Sequence, residues 1–184
     1  MRRFVYSIAF CFAGMAANAE SLCTAQDPAD VLAGLSGSWS REGAISVENA
    51  TVSELRRIRD ETLVISDEGG YRTGLVEDLI GGDVALVLSD VPPYDVDGVD
   101  DILDTVQRAD LADILSDTPC GPETLPQFVA TLAVLDGVEV TGTITLIPYF
   151  TDRVLEVTEL ELKASDTILF LTGAALLRPQ IGDQ

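Results

Sequence analysis

The last third of the chain alternates apolar and polar side chains in the manner of antiparallel strands. From Val138 to Leu146 the alternation is strict, which predicts a strand with one buried face. The apolar run Phe128–Leu135 precedes it across Asp136-Gly137, a pair suited to a two-residue hairpin turn. Two further runs, Val154–Lys163 and Thr167–Leu177, follow with short turns between them. The pattern therefore predicts a four-strand antiparallel meander.

The apolar side chains of the third run change phase half-way along it. Their positions are Leu155, Val157, Leu160 and Leu162. Because a one-residue change of phase moves side chains to the other face of a sheet, it predicts a β-bulge near Thr158-Glu159. The fourth run, Thr167–Leu177, has apolar residues in both phases, which favours a place in the interior of a sheet or closed barrel.

Four more strands are predicted in the first half of the chain. Their ranges are Trp39–Val47, Thr62–Ser66, Tyr71–Asp78 and Asp83–Ser89. Asp27 followed by Pro28 is typical of a helix start, with an acidic N-cap and a proline at the first helical position. Residues 48–61 fit either a turn of helix or an exposed strand, and they carry the chain's basic cluster, Arg56, Arg57 and Arg59.

A helical segment interrupts the strand pattern in the middle of the chain. The strands stop at Pro92-Pro93, and apolar residues then recur at helical spacing. These residues are Val99, Ile102, Leu103, Val106, Leu111, Ile114 and Leu115. One or two amphipathic helices are therefore predicted between residues 97 and 116.

Together these elements predict a mainly β protein. Eight antiparallel strands joined by short turns can close into an up-and-down barrel, which removes the exposed edges of a flat sheet. We therefore expect an eight-stranded antiparallel barrel or half-open sheet, with a short N-terminal helix and a helical insertion near 97–116. An antiparallel sandwich is the alternative architecture.

The two ends of this strand series resemble those of lipocalins and the wider calycin superfamily. A short helix leads into Gly37-Ser38-Trp39 at the first strand, and Arg178 stands at the end of the last one. The resemblance implies that Trp39 closes the barrel floor and that Arg178 packs over it, a cation–π contact of about 0.5–2 kcal/mol. Without that family's arrangement, Trp39 is a core aromatic residue and Arg178 a solvated end residue.

The N-terminus has the features of a secretory signal peptide. Arg2 and Arg3 precede the apolar run Phe4–Ala16, and Ala17-Asn18-Ala19 is a small-residue cleavage site. The run is short for a membrane span. We expect cleavage after Ala19, which leaves residues 20–184 as a single periplasmic or secreted β domain with no membrane span.

Cysteine usage agrees with export. Cys11 lies within the targeting segment, so that Cys23 and Cys120 remain as a pair in an oxidising compartment. A disulfide between them would close a loop of roughly 100 residues, worth about 4–5 kcal/mol in the chain-entropy model. Two free thiols are the alternative.

Charge and composition exclude several classes of function. The chain has 31 acidic and 11 basic residues and a formal net charge of −20, and such a surface repels nucleic acid and anionic lipid. It contains no histidine, which excludes Ser-His-Asp and Cys-His catalysis and most zinc or haem ligation. A Ser-Lys dyad would have to use Lys163, the single lysine, which is predicted on an exposed strand face.

An acidic cluster before the helical insertion has two interpretations. Asp95, Asp97 and Asp101 surround Gly98 in part of a calcium-loop pattern. The first ligand position falls on Pro93, and the closing Glu is replaced by Asp. Helix capping explains the same acids, so we expect no metal or other cofactor and leave calcium as the alternative.

These features favour an exported, non-enzymatic binding protein for a small apolar or amphipathic ligand, held inside the calycin-like barrel. The candidate lining residues of its cavity are Leu86, Val140, Ile144, Leu146 and Phe170. The alternative is an envelope structural or protein-interaction factor with a filled core, a protein partner then being unidentified. An enzyme using carboxylates alone is a third class. An empty cavity inside the barrel would favour the ligand-binding protein, and a solidly packed interior would favour the interaction factor.

Overall fold

A computed structural model describes residues 21–23, 27–89, 96–108, 110–116, 118, 124–132 and 138–180. Over these ranges the chain forms eight antiparallel strands in a closed ring and four short helices. The strands are β1 (Gly37–Glu48), β2 (Ser53–Ile65), β3 (Gly70–Arg72), β4 (Val84–Ser89), β5 (Gln127–Leu132), β6 (Glu139–Phe150), β7 (Arg153–Ala164) and β8 (Thr167–Pro179). The helices are α1 (Pro28–Gly34), α2 (Gly74–Ile80), α3 (Val96–Gln107) and α4 (Leu111–Leu115). The mainly β, eight-stranded prediction is confirmed.

Each strand pairs with its neighbour in sequence, and β1 closes the ring against β8. The strand pairing in the ring is shortest at β3. This strand pairs with β2 only through Val64 and Ile65 and with β4 only through Val84 and Ala85. The part of β2 before Val64 therefore has a strand partner on one side only, within the part of the chain that the structure describes.

Residues 53–61, ambiguous in the sequence, are the first part of β2. The arginines Arg56, Arg57 and Arg59 are exposed along it, and the pairing with β1 is irregular opposite Asp60, whose φ is 53°. Charged side chains and local irregularity are how natural sheets discourage edge-to-edge association. The basic cluster thus protects an open strand edge.

The prediction of a strand over Tyr71–Asp78 is wrong beyond Arg72. The chain instead turns into α2, because the Thr73 side chain accepts a hydrogen bond from the Val76 amide and caps the helix. Gly81 ends it in the left-handed conformation. The apolar residues Leu75, Val76, Leu79 and Ile80 then lie on one helical face against the barrel interior.

The predicted bulge near Thr158-Glu159 is also wrong, because β7 keeps an unbroken register with both neighbours there. The change of phase in the apolar pattern of β7 has another cause. Val154 and Leu160 face the interior of the barrel, whereas Leu155 and Val157 face outward beneath α3. The first half of β7 is thus buried on both faces and the second half on one.

The two hydrophobic clusters follow from this arrangement. One fills the barrel, and the other lies between its outer wall and α3, whose buried side chains are Val99, Ile102 and Leu103. Ala44 of β1 and Ala174 of β8 lie in this outer cluster, and their short side chains let the helix approach the sheet. The helical insertion of the prediction is therefore the outer cover of the barrel.

Helix α1 closes one end of the barrel. Asp27 caps it through the Ala29 amide, at 2.9 Å, and Pro28 is its first residue, as predicted. Val31 and Leu35 lie in the interior cluster, and the indole nitrogen of Trp39 donates a hydrogen bond to the Leu35 carbonyl oxygen at 2.8 Å. Among the described helices, none has the length and apolar character of a membrane span.

Replacement of Gly142 by alanine should destabilise the protein by roughly 2–4 kcal/mol. Its φ is 128°, and an added Cβ would lie 2.1 Å from the Glu159 carbonyl oxygen on β7. Gly82→Ala is the matched control, because nothing lies within 4 Å of a Cβ there. Urea unfolding measures both, and equal stability of the two variants would contradict the close approach.

Candidate functional site

The interior of the barrel contains a charged residue. Arg41 lies on the inner face of β1, two residues after Trp39, and only 3% of its surface is exposed. A buried guanidinium is costly unless it is paired and hydrogen-bonded. Arg41 therefore needs a counter-charge within the barrel.

The principal partner is Glu156 of β7, which is 1% exposed. The Arg41 Nε donates to both carboxylate oxygens, at 2.9 and 3.0 Å from Oε1 and Oε2, and a second guanidinium nitrogen donates to Oε1. Two parallel contacts of this kind fix the relative orientation of the side chains as well as their distance. The pair thus ties two strands that are separated by β8.

Two hydroxyl groups complete the carboxylate's hydrogen bonding. The Tyr71 hydroxyl of β3 donates to Glu156 Oε2 at 2.8 Å, and the Thr158 hydroxyl lies 3.4 Å from Oε1. Tyr71 itself is fully buried. The network therefore brings β1, β3 and β7 together at the centre of the barrel.

A second carboxylate reaches Arg41 from nearer the surface. Glu61 of β2 accepts a hydrogen bond from Arg41 Nη1 at 2.7 Å, and 32% of its side chain is exposed. Gly74, the first residue of α2, lies beside it, where an added Cβ would be 3.4 Å from Glu61 Oε1. Arg41 thus bridges a buried and a partly solvated carboxylate.

Small residues make room for the pair. In the strand register, Glu156 lies opposite Ala175 of β8, and Ala175 lies opposite Gly43 of β1. All three positions belong to the inner face, and Gly43 follows Arg41 by two residues. Because neither Ala175 nor Gly43 has a long side chain, Arg41 and Glu156 can meet across β8.

The network shifts the ionisation of two members. For Arg41, burial is the largest single influence and would lower the pKa, but the charge and hydrogen bond of Glu156 together with Tyr71 and Glu61 outweigh it, so that the pKa is raised above its ordinary value. For Tyr71, burial raises the pKa well above 10 and the charge of Glu156 raises it further, while Arg41 opposes both. Arg41 stays charged and Tyr71 neutral across the physiological pH range.

The arrangement is suited to holding the fold together. Both Glu156 oxygens are engaged by Arg41 and a hydroxyl, and Tyr71 is committed as a donor to the carboxylate. General acid or base catalysis requires a group that can reach a substrate proton. Glu61 is the member of the network with substantial exposure to solvent.

Four of the five predicted cavity residues lie in the interior cluster. Leu86, Val140, Ile144 and Leu146 expose 6%, 0%, 1% and 0% of their surface, respectively. A cavity that could hold even one water molecule would leave accessible area on its lining. Val140, Ile144 and Leu146 therefore line no such cavity, whereas Leu86 keeps a small accessible area.

The fifth, Phe170, does not belong to the interior. It is 50% exposed, while its neighbours Leu169 and Leu171 on β8 belong to the interior cluster. Successive residues of a strand point to opposite faces. Phe170 therefore lies on the outer surface of the barrel.

The predicted contact between Trp39 and Arg178 is wrong, because the two side chains lie on opposite faces of the sheet. Arg178 pairs with Ser40 in the register of β1 and β8, so that its side chain leaves the sheet on the face opposite Trp39. It is exposed, whereas Trp39 is buried. The arginine that shares the inner face with Trp39 is Arg41.

Other predicted residues fall partly outside the described chain. Cys23 packs against the outer cluster, and Cys120 lies outside the described residues, so their pairing stays a prediction. Asp95 and the Asp97 side chain are also outside them, while Asp101 is exposed on α3. Within the described ranges, no group of three or more acidic or cysteine residues could hold a metal ion.

The sequence patterns did not lead us to predict the charge network, although the positions of Arg41 and Glu156 along their strands indicate it. Arg41 and Glu156 each occupy a position whose strand neighbours two residues away, Trp39 and Val154, face the interior. Two opposite charges in the apolar phase of two strands indicate a buried ion pair. Comparison with known proteins found no family model, curated protein or solved structure that matches this chain.

Replacement of Glu156 by glutamine should destabilise the protein by about 3 kcal/mol, because the buried Arg41 charge then has Glu61 as its remaining counter-charge. The matched control is Glu139→Gln, which removes an exposed carboxylate 3.8 Å from Lys163 and should change stability by less than about 0.5 kcal/mol. Chemical denaturation measures both. A Glu156→Gln effect as small as the control would contradict the role of the pair.

Replacement of Tyr71 by phenylalanine should cost about 1.5–3 kcal/mol at neutral pH, through the lost hydrogen bond to a carboxylate. The raised pKa means that unfolded tyrosine loses its proton near pH 10 while the folded form keeps it, so wild-type stability falls as the pH rises above 10. The difference from Tyr71→Phe should therefore shrink between pH 10 and 12. Urea unfolding across that range tests this, and a constant difference would contradict it.

Proposed function

We propose that this chain is an exported, non-enzymatic protein-interaction factor of the cell envelope, whose barrel is a filled scaffold and whose outer surface contacts the partner. The observation that supports the proposal most directly is the interior itself. Its centre is occupied by Arg41, Glu156 and Tyr71, and four of the five positions expected to line a ligand cavity are buried. An apolar ligand at this centre would meet buried charge.

Export is supported by the residues ahead of the barrel. A basic start, an apolar run and an A-x-A site over residues 1–19 fit removal after Ala19. The proposed disulfide between Cys23 and Cys120 would fasten the N-terminal segment to the chain that follows α4. That segment already contacts the barrel, since the Leu22 amide donates to the Tyr149 carbonyl oxygen at 3.2 Å.

In this proposal the barrel resembles calycins in its strand architecture and not in ligand binding. The closed ring of eight strands and the Trp39 that lies beneath α1 support a common architecture. Ligand carriage, the activity implied by the resemblance, receives no support from the packed interior. Small-ligand binding is therefore the competing function, and a bound ligand would add to the mass measured in the following experiment.

Native mass spectrometry of the chain purified from the periplasm of a producing bacterium tests the filled interior. The expected mass is that of residues 20–184 less two hydrogens for one disulfide, without a small-molecule adduct. An adduct that is lost on denaturation would overturn the proposal in favour of ligand binding.

The partner is tested in the same cells with a carbodiimide, which joins carboxylates to lysine amines. With its abundant carboxylates and single lysine, the chain should form a reproducible complex with another protein and little cross-linked homodimer. A chain that remains entirely monomeric under conditions that cross-link other envelope complexes contradicts the interaction function.

A further inference from the structure

One part of the barrel's outer wall is left uncovered by the helices, and its apolar residues cluster. The described residues include six large apolar side chains that are well exposed. Four of them lie at the end of the barrel where β1 turns into β2 and where β8 begins: Val52, Leu55, Ile168 and Phe170. Scattered exposed apolar residues are ordinary, whereas several at one end of a barrel are typical of an interaction surface.

The largest of these side chains lies between two carboxylates. In the strand register, Phe170 of β8 pairs with Glu48 of β1 on one side and with Glu161 of β7 on the other. Directly opposed residues on one face of a sheet have their Cβ atoms about 4.5–5.5 Å apart. The half-exposed ring is therefore flanked by negative charge on both sides.

Two adjoining depressions cross this face. One, of about 350 Å³, lies between the sheet and α3 and is lined in part by Leu55, Ile102 and Asp101. The other, of about 290 Å³, lies beside Phe170 and Glu161. Both are lined by Glu159 and Thr172, so the two depressions adjoin, and together we call them the outer acidic groove.

The charge of this groove is of one sign. Its carboxylates are Glu48, Asp101, Glu159 and Glu161, and no lysine or arginine is among the described residues that line the two depressions. A cation above the face of an aromatic ring gains about 0.5–1 kcal/mol at an exposed site, and carboxylates beside the ring add to that attraction. The groove therefore combines apolar contacts with sites for positive charge.

We propose that the outer acidic groove binds a basic segment of a partner protein in which Lys or Arg side chains alternate with apolar ones, a basic side chain lying over Phe170 between Glu48 and Glu161. This inference rests on the proposed interaction function and names its partner class. A second copy of the chain is disfavoured, because each copy carries a net charge of −20. An anionic membrane surface is repelled for the same reason.

The test uses the full exported chain and two synthetic ten-residue peptides, one alternating Lys with Leu and one alternating Lys with Ser. Calorimetry at about 0.15 M salt, where general charge attraction is screened beyond roughly 8 Å, should detect the Lys-Leu peptide. The Lys-Ser peptide should bind at least tenfold more weakly, since it lacks apolar side chains. Equal binding of the two peptides, or no binding of either, overturns the inference.

Variants locate the site. Phe170→Ser should weaken Lys-Leu binding at least tenfold, and Glu48→Gln at least threefold. The matched controls are Val87→Ser, a 58% exposed residue on β4, and Glu68→Gln in the exposed turn before β3, both of which should bind within twofold of wild type. All four positions are exposed, so thermal melting should show that each variant is folded.

The outcomes separate the two proposals. A peptide that binds wild type and Phe170→Ser equally, or that is lost equally in Val87→Ser, overturns the outer acidic groove while leaving an interaction function at another surface. Absence of any cross-linked partner in the cellular experiment overturns the interaction function itself.

Discussion

The ion pair between Arg41 and Glu156 is the constraint on which the remaining structure depends. Its two members stand on β1 and β7, with β8 between them, and Tyr71 joins them from β3. A slip of one residue in β1 or β7 would move one member of the pair to the outer face and leave the other buried without it. The pair therefore disfavours alternative strand registers. The hydrogen bond from Tyr71 also holds the short strand β3 to the opposite wall of the ring.

The second constraint is that part of the barrel wall is buried on both sides. Leu155 and Val157 of β7 lie beneath α3, while Val154 and Glu156 face the interior. This explains why the apolar pattern of the strand changes phase without any change in its pairing. It also explains the small residues Ala44 and Ala174, because a helix can lie close to a sheet only where side chains are short.

The surface that α3 does not cover has a different character. Beyond the helix, β8 places Phe170 among the carboxylates of β1 and β7, on a chain whose acidic residues greatly outnumber its basic ones. The basic cluster Arg56, Arg57 and Arg59 instead lies on the open edge of β2, where it discourages association of strands. Interior charge thus serves the fold, edge charge limits pairing, and the outer acidic groove places an exposed aromatic ring among carboxylates.

Local patterns in the sequence were sufficient for the fold class, for six of the eight strands and the last part of β2, for the Asp27 cap of α1 and for the helical insertion. These depend on side-chain periodicity and on capping hydrogen bonds between neighbouring residues, both of which can be read along the chain. The strand assignment failed at Thr73–Asp78, where a threonine cap and a four-residue apolar spacing select a helix. The features that only the tertiary structure decided are the meeting of Arg41 with Glu156, the outward position of Phe170 and Arg178, and the burial of β7 on both faces. Each depends on which residues far apart in sequence become neighbours when the ring closes, and on where α3 lies against its wall.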